Sequence, residues 1–175
     1  MVVCATVLCL LSNLVCADQT RTCQELIPEA LGTKLLTGHG VWKVAELPDL
    51  SRDDRQLWIK AHGRLCPGVA RGKFNGSTAI QYAVVLWTPG TPKHVKLIHA
   101  APSATGGYRI TSLFEGESAR LPVVRRMPPG DYYGAEDRKT PIHIKTDVIY
   151  LETIEAGTTA FYFADGMFKQ IVVSM

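Results

Sequence analysis

Free cysteine, basic runs and nucleophile motifs are all scarce in this sequence, and each scarcity removes a class of function. Of the five cysteines, Cys4, Cys9 and Cys16 fall within the first 17 residues, MVVCATVLCLLSNLVCA, which hold no Asp, Glu, Lys or Arg. This apolar stretch is shorter than the roughly 20 residues of a membrane span. Polar DQTRT follows it directly, so residues 1–17 read as a signal peptide ending at Val15-Cys16-Ala17, with an N-terminal anchor as the alternative. The basic start usual in such leaders is missing, because no Lys or Arg precedes Arg21. Removing the leader leaves Cys23 and Cys66. A single pair in an exported chain predicts a disulfide before a metal site or a nucleophile, with two unpaired thiols as the other reading. The expected location is periplasmic or secreted, with no stable membrane span after cleavage.

Charge is weak as well. The 19 Lys and Arg against 16 Asp and Glu give a net +3. The densest basic cluster, Arg120, Arg125 and Arg126, is broken by Leu121, Pro122, Val123 and Val124, and no basic run with interleaved aromatics occurs, so no nucleic-acid partner is expected. There is no Gly-x-Ser-x-Gly elbow, and no cysteine stays free once Cys23 and Cys66 pair. A phosphate loop in GVARGKFNGST fails on spacing: Gly68 and Gly72 are too close, Phe74 stands where the magnesium-binding hydroxyl belongs, and a strand pattern follows instead of a helix. His39, His62, His94, His99 and His143 are scattered, and His94 and His99 would face opposite sides of one strand. Surface or turn positions are the expectation for them, with no metal and no cofactor.

What is present describes a folded α+β chain. Ile27, Leu31 and Leu35 recur every four residues between Cys23 and Leu36, with Pro28 early and Gly38 as a stop, which predicts an amphipathic helix. Residues 41–47, VWKVAEL, fit a short strand or an extended linker. Ser51 with Asp54 resembles a capping box opening a second helix, with Leu57, Trp58 and Ala61 on its buried side and Gly63 at its end. After Cys66-Pro67-Gly68 the texture changes to short runs of Val, Ile, Tyr and Phe between turn residues. Strands are expected near 69–74, 80–87, 94–100, 107–114, 147–154, 159–164 and 167–173. The Asp165-Gly166 pair predicts a hairpin, and short connections without intervening helices favour antiparallel pairing. Leu121 to Pro141, rich in Pro and Gly, reads as one long irregular stretch. Residues 18–175 are expected to form a single α+β domain, with N-terminal helices on a largely antiparallel sheet or meander.

Two sets of residues are candidates for function. Asp131, Tyr132 and Tyr133 open DYYGAED, where paired tyrosines between Pro and Gly offer large amphipathic contact area at low entropic cost; the other reading folds one or both rings onto the core. Glu115 and Glu117, flanking Gly116, could act with Asp131 as the carboxylates of a glycosidase, which must face each other across a cleft.

One stretch, RGKFNGSTAIQYAVVL (residues 71–86), carries a family likeness. It resembles the loop-plus-strand signature of FG-GAP and VCBS-type repeats, in which Asp and Asn at loop positions one, three, five and nine bind calcium. The matching residues are Lys73, Asn75, Ser77 and Gln81, while Gly72, Phe74, Gly76 and the strand Tyr82 to Leu86 keep the frame. Calcium sites depend on anionic oxygen ligands, and none remains, so the resemblance implies the loop's shape without its metal. With Cys-Pro-Gly ahead of the motif and FYFADGMFKQIVV at the end, the chain looks like a group of small exported bacterial proteins that carry one such motif. Asn75-Gly76-Ser77 also fits a glycosylation acceptor, meaningful only in a eukaryotic secreted chain. The resulting expectation is an exported non-enzymatic binding protein with a protein partner, such as an inhibitor or immunity factor for a cell-envelope enzyme. The alternative is an envelope hydrolase acting on carbohydrate or peptidoglycan through Glu115, Glu117 or Asp131.

Overall fold

The computed structural model describes residues 22–37 and 41–174. The signal-peptide reading therefore lies outside the described residues. Among the described residues eleven strands dominate, all paired antiparallel, and two short α-helices precede most of them.

Helix α1 (Glu29–Thr37) begins only after a single 3-10 turn at Gln24–Leu26, because Pro28 cannot continue a helix from its N-terminal side. The expected helix from Cys23 is thus split. Helix α2 (Arg52–His62) starts where Ser51 accepts the Asp54 N–H at 3.1 Å and ends at Gly63, whose φ of 65° few other residues would accept.

The first sheet contains β1 (Lys43–Val44), β2 (Val69–Gly72), β3 (Gln81–Thr88), β4 (Lys93–Pro102) and β5 (Tyr108–Ser118). Strand β3 pairs β4 on one side; β1 and β2 share its other side, β1 opposite Leu86–Trp87 and β2 opposite Gln81–Val84. Strand β5 closes the row as an edge, with a bulge where Leu97 faces Phe114 and Ile98 faces Ser112. The second sheet runs β11 (Met167–Ser174), β10 (Gly157–Ala164), β9 (Val148–Thr153), β6 (Val123–Met127), so β11 is its edge. A small ribbon, β7 (Gly130–Tyr132) with β8 (Ile142–Ile144), completes the set.

The near-continuous apolar run Tyr82-Ala83-Val84-Val85-Leu86 follows from burial of β3 on both faces. Ala83 and Val85 point inward to meet Val123, Ile149, Leu151 and Phe161 of the second sheet. Tyr82, Val84 and Leu86 point outward, where Ile27, Leu31 and Leu35 cover them. The Cys23–Cys66 disulfide is formed and ties the N-terminal segment to the start of β2. Gly68 is required beside it: a Cβ there would lie 2.0 Å from the Ala45 carbonyl oxygen.

The sheets meet along one side, where Val124 donates to the Pro67 carbonyl at 2.8 Å. Residues 121–141 are a correction to the expected irregular stretch. Val123 and Val124 are buried and pair with β9, so Pro122 precedes a strand instead of preventing one, and Pro128-Pro129 separates β6 from β7. No helix among the described residues is long and apolar enough to cross a membrane.

Candidate functional site

The loop between β2 and β3 has the calcium-loop frame, and its own side chains fill the ligand positions. Asn75 Oδ1 accepts the Ser77 N–H at 3.0 Å, and the Gln81 amide also donates to it. Gln81 Oε1 accepts the Asn75 N–H at 3.2 Å. Residues at positions three, five and nine thus satisfy one another. At position one, the Lys73 N–H donates at 2.7 Å to Asp147, a buried carboxylate immediately ahead of β9 that also meets Arg126 Nε at 3.0 Å. Gly72 leaves room for this approach, since a Cβ there would stand 2.9 Å from Asp147 Oδ2.

The same network fixes a histidine. His99 on β4 is 3% exposed, which corrects the expectation of surface or turn histidines. The alternation that puts His94 outside, against Glu117, turns His99 inward beside Gln81. Two backbone donors determine its tautomer. The Ser77 and Asn75 N–H groups require Asn75 Oδ1 and Gln81 Oε1 to be acceptors, so His99 Nε2, 2.7 Å from Gln81 Oε1, must carry the hydrogen. Nδ1 is left as a bare lone pair and makes no hydrogen bond among the described residues. Burial, assisted by the Arg109 guanidinium, pushes the His99 pKa down to about 4, so the ring is neutral at ordinary pH.

His99 lies at the floor of an open trough. Opposite the Pro67–Val124 seam the sheets part, leaving hollows of about 430 and 700 Å³ between β5 and the β10–β11 hairpin. Phe161 and Gln170 line both hollows and make them one feature. Phe163 and Phe168 stack edge to face at 5.4 Å, and Phe168 lies 4.6 Å from the His99 ring. Arg109 and Lys169 supply positive charge at the rim, and no acidic side chain lines either hollow. Lys169 is paired with Asp165, whereas Arg109 has no carboxylate partner among the described residues. Phe114, Met167 and Val172, all exposed, belong to the same lining.

The tyrosine pair divides by strand alternation. Tyr132 turns inward, 7% exposed, with its hydroxyl donating to the Pro128 carbonyl and its ring edge-on to Tyr150 at 6.0 Å. Tyr133 points out at 44% exposed. Asp131, also exposed, accepts from His143 Nδ1 at 2.8 Å across the ribbon. Two residues beyond Tyr133, the Ala135 N–H donates at 2.7 Å to the Val172 carbonyl and fixes the loop to the edge of β11.

The structure does not bring the three acids together. Glu115 and Glu117 bond Lys96 and His94 along the outer face of β4, while Asp131 sits on the separate ribbon. Sequence reasoning missed Gln81 and His99 as partners, although the alternation that puts both on one face of neighbouring strands was readable once both strands were placed. No family model, curated protein or solved structure matches the chain. What the fold and sites define is a β-rich, disulfide-linked chain with one rigidly presented aromatic and one open trough.

Proposed function

We propose that this protein is an exported binding protein that acts by contact, as an inhibitor or immunity factor for a cell-envelope enzyme, and that Tyr133 with Asp131 is its contact surface. The observation that carries the reading is the division of labour in the tyrosine pair. Tyr132 is the buried anchor, and Tyr133 is displayed on a segment held at Tyr132, at the Asp131–His143 bond and at Ala135. A large amphipathic ring presented with little freedom left to lose is the kind of group that dominates protein interfaces. The disulfide supports export, because such bonds persist in oxidising compartments. The FG-GAP-like loop acts in this reading as scaffold, its frame kept and its ligand positions closed by Asn75, Ser77 and Gln81.

A photo-crosslinking residue at position 133 tests the proposal in cell-envelope extract. A discrete protein adduct that excess unlabelled protein competes away is expected. No adduct, or one that competition leaves unchanged, contradicts it.

A further inference from the structure

We propose that the trough between β5 and the β10–β11 hairpin binds an acidic saccharide, with a sugar hydroxyl donating to His99 Nδ1, a carboxylate on Arg109, and the apolar sugar face against the phenylalanines. This site is independent of the contact surface at Tyr133.

Three features converge on that chemistry. The first is His99, which is almost wholly buried yet lines the trough with a nitrogen that lacks a partner. Its Nε2–H is committed to Gln81, and that bond is held in turn by backbone donors from the motif loop. The floor therefore offers a fixed acceptor that cannot turn into a donor, so the matching group must be a hydroxyl or an N–H. Nδ1 is not among the buried atoms that lack a partner, so solvent reaches it from the trough, and a ligand hydroxyl can take that solvent's place.

The second is electrostatic. Arg109 is the trough's cation without a carboxylate partner, and the absence of acidic lining leaves the local field positive. A planar guanidinium recognises a carboxylate through paired hydrogen bonds, which sets a carboxylated sugar above a neutral one. Third, Phe161, Phe163 and Phe168 give an apolar aromatic wall beside the polar floor, with Phe163 and Phe168 edge to face. Thr111 and Gln170 add donors and acceptors along its length. An acyl chain would leave the His99 acceptor unsatisfied. A small inorganic anion would leave the aromatic wall unused and would meet a lone pair at the floor.

The same lining argues for binding without hydrolysis. Glycoside cleavage uses a pair of carboxyl groups flanking the bond, and neither hollow is lined by one.

Titration of trigalacturonate into the isotope-labelled protein, followed by nuclear magnetic resonance, tests the site. Saturable shifts confined to trough residues and to the His99 ring nitrogens are expected, with a Kd of about 1 mM or tighter. Arg109→Gln, an exposed position whose amide spectrum reports that the fold is kept, should weaken binding by about tenfold or more. Neutral maltotriose should bind weaker by a similar factor. Absence of saturable shifts overturns the proposal, as do shifts centred outside the trough. Equal binding of maltotriose, undiminished binding by the Arg109→Gln protein, or acetate reproducing the same shifts at the same concentration also overturns it.

Discussion

Acid should destabilise this protein through His99 in a defined window. The ordinary histidine pKa is 6.5, and in the folded chain that of His99 is about 4. Above about pH 6.5 the ring is neutral whether folded or unfolded, and its contribution to stability is fully present. As pH falls through the window the unfolded chain takes up a proton that the folded one refuses, so stability declines. Below about pH 4 both states carry the proton and the loss levels off. A pKa difference of this size corresponds to about 3 kcal/mol, a large share of the stability of an ordinary domain. The cause is physical and local: burial of the ring leaves an added proton poorly solvated, and the Arg109 guanidinium repels it. Urea unfolding followed by tryptophan fluorescence, repeated across the pH range, measures the effect. His99→Gln serves as the reference, since it keeps the other titrating groups and removes this one. The wild-type curve should fall by about 3 kcal/mol more than the variant's between neutral pH and pH 4. Parallel curves, or a His99 resonance titrating near 6.5, would refute the reasoning.

Reduction of Cys23–Cys66, which closes a separation of 43 residues, should cost about 4 kcal/mol in the chain-entropy model; unchanged urea midpoints with and without reductant would contradict this. Calcium should leave the melting temperature unchanged, because Asn75, Ser77 and Gln81 are bonded to one another and Lys73 occupies the first loop position, and a saturable rise at micromolar calcium would oppose that account. Gly68→Ala should destabilise by about 3 kcal/mol or more, since its Cβ would overlap the Ala45 carbonyl and the contact is with backbone, which thermal melting would register directly.

Much of the fold was legible because its signals are local. Ser51 with Asp54 marked the start of α2, and Asp165-Gly166 marked the β10–β11 turn, where both residues adopt positive φ. The alternating runs from Val69 to Val173 located seven strands. The segment from Leu121 to Pro141 misled because its prolines and glycines are genuine turn chemistry, while the pairing that makes Val123–Met127 a strand comes from β9, more than twenty residues later. Tyr132 and Tyr133 were legible as a pair, but which ring turns inward depends on the register of a three-residue ribbon. The trough was not legible at all. It lies between two sheets and depends on where β5 and β11 end as edges. His99 shows the same limit: alternation sets it opposite His94, but the bond to Gln81 that holds it lies on a neighbouring strand, which no single-strand pattern contains.

The central claim is that the protein works by contact through Tyr133 on a scaffold anchored by Tyr132. It is tested most directly by the affinity of the partner crosslinked from position 133, measured against the wild type and Tyr133→Ala. The account predicts a loss of about 2 kcal/mol, roughly thirtyfold in Kd, with the melting temperature unchanged because the ring is exposed. Equal affinity of the two proteins for that partner would contradict it.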